Sequence, residues 1–202
     1  MQNKEDKPGL PKSETFQQKI LAVNNLNQGN FREWLFLPGM LFGAGEKWWG
    51  KGGKRESPHE GIDICYYRTM NHDIKQIEPG TKIPAIYPGV VAAICDDFLG
   101  KSIFIKHEQY QRTGTTLYTA YGHIIPTLEI QPGKKVRDGE IIGTAAEPGR
   151  NRQTVSCHFH ISTAWISDKL PGQQLNWEIM KTVQLFNPLD ILALPHTIID
   201  RQ

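Results

Sequence analysis

Short β-prone runs separated by turn residues constrain the fold of this chain more than any other feature. Between residues 83 and 145, apolar and β-branched runs alternate with proline and glycine. Such runs are typical of strands, and Pro-Gly and Asp-Gly pairs are typical of the turns between them. Their close spacing predicts a compact, mostly-β fold of sandwich-like or barrel-like antiparallel sheets. The runs are Ile83–Ile86, Gly89–Ile94, Ser102–Lys106, Leu117–Tyr121 and Glu140–Ala145.

Two short helices are predicted near the ends of the chain. Residues 13–30 carry a helical apolar stripe of Phe16, Ile20 and Val23, and Ser13 is a suitable N-cap. Residues 173–183 carry a second stripe. We expect a polar extension with a short helix over residues 1–30, one domain over residues 31–195 and a tail over residues 196–202.

Composition excludes several classes of function. The chain has 202 residues, of which 39% are hydrophobic and 22% charged, as in an ordinary globular protein. A net charge of +2 gives no field that would attract nucleic acid or an anionic membrane, so neither is expected as a partner. No segment reaches the ~20 apolar residues of a transmembrane helix.

Cysteine usage and the N-terminal residues bear on the compartment. The three cysteines form no C-x-x-C pair, which disfavours a cysteine-bound metal and favours buried free thiols. Residues 1–12 are polar and lack the apolar segment of a secretory signal. The localisation therefore stays open: the protein is not exported by that route, or the export signal is missing from this sequence.

A histidine pair lies inside an apolar run, Ser156-Cys157-His158-Phe159-His160-Ile161-Ser162. Alternate side chains of a strand share one face, so His158 and His160 are expected on the same side, roughly 7 Å apart at Cα. One imidazole can then hold a metal while the other faces the reacting water. An ordinary exposed pair of histidines is the alternative.

A histidine and a carboxylate, His59 and Asp63, stand four residues apart. On a helix they would form a variant of the helical zinc-protease motif. Pro58, Gly61 and the β-branched run that follows favour a loop entering a strand instead. An extended chain would separate the pair by ~13 Å, too far to share one ion. His59 is therefore expected on a bend just before the strand, with Gly61 permitting the turn.

The same sequence offers an open set of metal ligands. His59, Asp63 and His160 supply two nitrogens and one oxygen, leaving a fourth tetrahedral position for water, which is the pattern of a catalytic zinc site. A further histidine, His123, follows the strand-like run 115–121. A lone histidine at a strand end is usually structural.

The ordered set His-x-x-x-Asp, Tyr-Gly-His and His-x-His resembles the lysostaphin/LytM-type zinc endopeptidases, which cut peptide cross-links of bacterial cell walls. The resemblance spans about residues 34–192. It implies one zinc ion on His59, Asp63 and His160, with His123 and His158 as catalytic histidines. It also implies a peptide or peptidoglycan substrate, and an envelope or secreted location. The mechanism it implies is hydrolysis of peptide bonds by a metal-activated water.

Some features depart from that family and leave the substrate open. Residues 150–154 lack the small residues and glycine usual before His-x-His, and the family's tyrosine upstream of the first histidine has no counterpart in Trp48, Trp49 or residues 51–55. Cations at 51, 54, 55, 150 and 152 predict a positive mouth that favours substrates with free carboxylates, or else they are solvated surface charges.

Other interpretations remain alongside the endopeptidase. A non-catalytic zinc-binding regulatory module on the same fold, and a peptidase or amidase acting on non-wall peptides, both fit the motifs. The turns at residues 88–91 and 133–139 also resemble those of biotinyl/lipoyl carrier domains. No lysine stands where a carrier would display one, so only a related β architecture, a biotinyl/lipoyl-type hybrid motif, is expected.

Overall fold

The computed structural model describes residues 9–149 and 155–200, and the prediction of a mostly-β fold is confirmed. The helices are α1 (Glu14–Val23) and α2 (Trp177–Met180), and 3-10 turns lie at Pro38–Met40, Gly172–Gln174 and Pro188–Asp190. The strands are β1 (Phe31–Phe36), β2 (Gly61–Ile64), β3 (Tyr66–Thr69), β4 (Ile74–Gln76), β5 (Lys82–Pro84), β6 (Gly89–Asp96), β7 (Lys101–Arg112), β8 (Thr115–Pro126), β9 (Lys135–Val136), β10 (Ile141–Ala145), β11 (Phe159–Ser167), β12 (Gln184–Phe186) and β13 (His196–Ile198).

A large antiparallel sheet carries the centre of the fold. Its strands run in the order β12-β11-β8-β7-β6-β9, with β2 pairing to β11 and β10 bridging β8 and β5. The long strands β7 and β8 form a hairpin whose tight turn uses Gly114 at φ +72°. Glycine adopts this left-handed conformation without the steric penalty of a side chain. Strand β8 is thereby held between β7 and β11.

The two faces of this sheet pack against different partners. The main core lies on one face and includes Tyr121, Phe159 and Ile161, with Trp34 from the second sheet. Alternate residues point the other way, so Phe104 joins a smaller cluster on the opposite face, which α2 covers. The helix α2 therefore lies against the sheet, close to the ends of β7, β8 and β11.

A smaller sheet runs in the order β13-β1-β3-β4. Its first pair, β1 and β13, is parallel, and β1 pairs antiparallel with β3. The segment predicted as a C-terminal tail thus contributes strand β13 to a sheet, although the domain boundaries themselves stay a prediction.

The N-terminal helix begins where the sequence predicts. The backbone N–H of Phe16 donates to the Ser13 hydroxyl over 3.3 Å, the bond expected of an N-cap. Phe16 and Ile20 are fully buried in the main core. The helix ends at Val23 rather than continuing towards residue 30, because Asn25 adopts a positive φ of +54° and turns the chain.

The prediction of a helix over residues 173–183 is wrong in extent. Only Trp177–Met180 is α-helical, and a 3-10 turn precedes it. Asn176 is extended, and its side chain caps the helix by accepting from the Ile179 N–H over 3.0 Å. An extended cap residue inside the predicted span interrupts the helix, and an apolar stripe alone does not reveal it.

Within the described ranges, no helix combines the length and apolar character needed to cross a membrane. Cys65 and Cys157 are buried and Cys95 is partly buried, and all three are free thiols as expected.

His107 provides a test of the packing of the large sheet. This buried imidazole lies 2.9 Å from the Pro88 carbonyl and 2.8 Å from the Thr119 hydroxyl. Burial lowers its pKa to about 4. The folded protein therefore resists protonation of His107, so the stability due to the neutral ring is present above pH ~6.5 and is lost as pH falls towards 4.

We predict that this histidine alone costs about 2 kcal/mol of unfolding free energy between pH 7 and pH 4.5. His107→Gln removes the titrating group, so the stability difference between wild type and variant should shrink by that amount at pH 4.5. Urea unfolding of both proteins at the two pH values measures it. An equal difference at both pH values would contradict the prediction.

Candidate metal centre

Two paired strands bring the three predicted metal ligands together. His160 on β11 stands directly opposite Asp63 on β2, and His59 lies in the loop that leads into β2. The His160 Nδ1 atom is 2.9 Å from Asp63 Oδ1 and 3.1 Å from His59 Nε2, and His59 Nε2 is 3.3 Å from Asp63 Oδ1. One candidate ligand atom from each residue therefore meets in a buried triangle.

Outer hydrogen bonds orient each of these side chains. His59 Nδ1 lies 3.1 Å from the Leu41 carbonyl, which can only accept, so Nδ1 carries the proton and Nε2 presents its lone pair. His160 Nε2 contacts the Ser162 hydroxyl at 2.7 Å, leaving Nδ1 turned inward. The Trp48 indole donates to the outer oxygen of Asp63 over 2.6 Å. Such outer partners are what holds the ligands of metal sites in place.

The donor set fits a zinc ion. Ligands at 2.0–2.2 Å in a tetrahedron lie roughly 3.3 Å from one another, close to the separations in this triangle. Burial alone would raise the pKa of Asp63, but the neighbouring His59 and His160 rings hold that pKa well below its usual range. Burial lowers the pKa of His160. A charged carboxylate and a neutral imidazole are the forms that bind a metal.

Gly61 is needed for a reason different from the one predicted. The helical alternative for residues 59–63 is wrong, because β2 begins at Gly61 and His59 precedes it in the loop. Gly61 does not adopt a positive φ, so it is not a turn glycine. A Cβ at this position would instead lie 2.0 Å from the Ile161 carbonyl oxygen and 2.7 Å from His160 Nε2. Glycine is required because β2 and β11 approach each other closely here.

The two other predicted histidines lie beside the triangle. His123 is on β8 and His158 immediately precedes β11, and their ring centroids are 4.7 Å apart. His158 Nδ1 lies 2.8 Å from the Ser156 carbonyl, so it carries the proton and leaves Nε2 free. Burial lowers the pKa of His158 to about 4, which keeps this ring neutral near pH 7.

All five residues border one cavity of about 270 Å³. Much of the remaining wall is apolar or aromatic. An open cavity with convergent polar groups is the usual form of a binding site. The other lining residues are Trp49, Arg55, Glu60, Asp97, Phe98, Val155 and Trp177.

Two residues that contact the histidines of this site were not predicted from the sequence. Asp97 follows β6 and reaches His123 with its carboxylate, and Trp177 on α2 packs edge-on against the His160 ring at 5.1 Å. Neither belongs to a motif. The Asp96-Asp97 pair before a turn at residues 97–100 was the only local signal, and such pairs are common at turns.

Only one of the described cations predicted to form a positive mouth, Arg55, lines the cavity. Arg55 borders the cavity, with its guanidinium 4.6 Å from the centre of a Trp49 ring and 3.7 Å from Asp63. Lys51 and Lys54 are not among the lining residues. The cations predicted at 150 and 152 lie outside the described residues, so the prediction about the mouth stays untested.

The sequence profile of peptidase family M23 matches residues 57–188, more than half of the chain. The chain belongs to peptidase family M23, a family of metallopeptidases. The resemblance seen in the ordered motifs is thereby confirmed.

Solved structures of this kind are similar to the chain at low identity. One is a mutant catalytic domain of the prophage-encoded M23 protein EnpA from Enterococcus faecalis, with 25% identity, a TM-score of 0.42, and coverage of 67% of this chain and 80% of that one. Another is the catalytic domain of lysostaphin from Staphylococcus simulans, with 16% identity, a TM-score of 0.40, and coverage of 77% and 96%. The comparison with curated proteins gave no match.

The close approach at Gly61 yields a direct prediction. Gly61→Ala should lower the unfolding free energy by about 3 kcal/mol, because the new methyl group can be accommodated only by separating β2 from β11. Gly45→Ala is the matched control, since a Cβ there meets nothing within 4 Å. Urea unfolding of both variants measures the difference. Equal, small effects at the two glycines would show that the strands are not packed as described.

Proposed function

We propose that this chain is a zinc-dependent endopeptidase that hydrolyses peptide bonds in the cross-links or stem peptides of peptidoglycan. The observation that carries the proposal is the buried triangle of candidate ligand atoms from His59, Asp63 and His160, oriented by outer hydrogen bonds and bordering a cavity. Two imidazoles and one carboxylate are a donor set that suits zinc and leaves a coordination position open.

Zinc, when bound, supplies a Lewis acid for the scissile carbonyl and a water of lowered pKa. The atoms that would hold it are His59 Nε2, Asp63 Oδ1 and His160 Nδ1. Trp48 and Leu41 keep two of these ligands from rotating. The remaining chemistry belongs to the chain's own side chains.

His123 and His158 are the proposed proton-transfer residues. Both rings border the cavity beside the ligands, and the proposal uses one to accept a proton from the attacking water and the other to donate to the developing oxyanion or leaving nitrogen. His158 presents an unprotonated Nε2, because its Nδ1–H donates to Ser156.

Membership of family M23 supports hydrolysis of peptide bonds, and the family's association with peptidoglycan hydrolysis supports the wall as the source of the substrate. The cavity is compatible with a peptide, because Phe98, Val155 and Trp177 provide apolar walls beside the polar centre.

We predict one zinc ion per chain, lost in His59→Ala, Asp63→Ala and His160→Ala but retained in His123→Ala and His158→Ala. Only three protein ligands are needed when the fourth position holds water. Elemental analysis after dialysis against metal-free buffer measures occupancy. His196→Ala, at an exposed histidine, is the control. Full zinc in the first three variants, or complete loss from His158→Ala, would require a different ligand set.

Removing either proposed proton-transfer histidine should slow hydrolysis without removing the zinc. The zinc-loaded protein should release peptides from purified peptidoglycan, and His123→Ala or His158→Ala should reduce the rate by ~10²–10⁴ with zinc retained. Chemical labelling of newly exposed amines, followed by mass spectrometry, identifies the bond cut.

The outcome separates the alternatives. New amines within stem peptides or cross-links support the endopeptidase. Release of intact stem peptides from the glycan would indicate an amidase. Turnover of a non-wall peptide without attack on peptidoglycan would place the substrate elsewhere. Zinc binding without any turnover would indicate a non-catalytic binding module.

A further inference from the structure

Asp97 is a buried carboxylate that the proposed mechanism does not use. Its side chain is only 3% exposed, although it lies in the short connection between β6 and β7. A buried carboxylate is costly unless it is paired and hydrogen-bonded. It is not a member of the metal-ligand group. The burial of this carboxylate therefore has to be balanced by contacts other than a metal.

Both oxygens of Asp97 contact His123, among other partners. Oδ1 lies 2.9 Å from the ring Nδ1, and Oδ2 accepts the backbone N–H of His123 over 3.0 Å. The ring contact is an ion-pair distance that does not meet hydrogen-bond geometry, so the buried Nδ1 has no hydrogen-bond partner among the residues that the structure describes. Catalytic hydrogen bonds are often poorly aligned without substrate and tighten in the complex. The carboxylate thus hydrogen-bonds the main chain of His123 and places an oxygen next to the ring Nδ1, within reach of a hydrogen bond.

The backbone of His123 needs such support. Its φ is +62°, a left-handed conformation that is uncommon for residues other than glycine and costs of the order of 1–3 kcal/mol. The bend occurs within β8, where the register with β7 shifts between residues 101 and 103. It accompanies the placement of the His123 ring at the cavity, beside His158.

Further residues fix the carboxylate itself. The Ser102 hydroxyl donates to Asp97 Oδ2, and the Trp177 indole donates to the Ser102 hydroxyl over 2.9 Å. Gly122 leaves room for the arrangement, because a Cβ there would lie 2.9 Å from Asp97 Oδ2. Burial would raise the pKa of Asp97, but its contacts with His123 and the Ser102 hydroxyl hold that pKa well below its usual range. The carboxylate is therefore ionised at neutral pH.

We propose that Asp97 is a positioning residue for His123: it accepts the Nδ1–H, fixes the ring orientation and tautomer, and leaves Nε2 as the nitrogen that faces the reaction. This inference rests on the proposed peptidase function for its catalytic consequence, but not for its structural content. It also distinguishes the two histidines. His123 is held by a carboxylate, whereas His158 is held by the neutral Ser156 carbonyl.

The consequence follows from the general chemistry of such pairs. A carboxylate at Nδ1 stabilises the imidazolium formed when Nε2 takes a proton, and it prevents the tautomer in which Nε2 already carries one. In the serine-protease triad, replacing this carboxylate by an amide costs ~10⁴ in kcat with the geometry retained. A backbone carbonyl gives the same tautomer without the negative charge.

The test uses the whole 202-residue chain, loaded with zinc, and begins with the wild type. ¹⁵N NMR of the histidine side chains, with the His123 signals assigned by their absence from His123→Ala, reports which ring nitrogen carries the proton. We expect His123 in the Nδ1–H form. The Nε2–H form would overturn the proposal. This measurement requires neither turnover nor an Asp97 variant.

The matched pair Asp97→Asn and Asp96→Asn then tests the consequence. Asp96 is the adjacent carboxylate, 90% exposed, so its amide should behave as wild type. Asp97→Asn should retain zinc, lose the single Nδ1–H form of His123, and lower kcat by ~10²–10⁴ with KM little changed. A folded, zinc-loaded Asp97→Asn with wild-type kcat and an unaltered ring spectrum would refute the proposal.

The two proposals fail in different ways. If the wild type hydrolyses no peptide, the proposed function is refuted, while the His123 spectrum still decides the role of Asp97. If Asp97→Asn does not fold, the wild-type spectrum alone decides. If the wild type is active and shows His123 in the Nε2–H form, only the inference about Asp97 is withdrawn.

Discussion

The pairing of β2 with β11 is the constraint on which the site depends. It places His160 opposite Asp63 and brings the loop carrying His59 over both. The pairing is possible only because Gly61 has no side chain to meet the Ile161 carbonyl. A sheet of several buried strands holds this register, since β11 also pairs with β8 along most of its length. The ligand geometry is therefore a property of the sheet rather than of a flexible loop.

The same sheet sets the second half of the site. Strand β8 pairs with β11 so that Gly122 faces His160, and the next residue is His123. In a regular strand, the side chain of His123 would point to the face of the sheet opposite to that of residue 122. The left-handed conformation at His123 changes its direction, and Asp97 bonds to the altered backbone. Rigid strands and one strained residue together assemble histidines from three different parts of the chain.

Much of this could be predicted from sequence, for identifiable reasons. Strand runs and turn residues are local signals, so the mostly-β fold and the N-cap at Ser13 were accessible. The four histidines and one aspartate lie in short motifs with recognisable spacings, and the structure places all five around one cavity. Long-range contacts were not accessible: nothing local shows that Gly61 meets Ile161, that Asp97 reaches His123, or that Trp177 packs on His160. The predicted C-terminal helix was too long, because Asn176 caps the real helix from within the predicted span.

The central claim is that three residues hold one metal while two histidines stay free beside it. Anomalous diffraction from crystals of the zinc-loaded protein, collected on both sides of the zinc absorption edge, tests this most directly. The account predicts one strong peak within bonding distance of His59 Nε2, Asp63 Oδ1 and His160 Nδ1, with His123 and His158 unbonded. A peak bonded by either of those two histidines, or by none of the three proposed ligands, would contradict it.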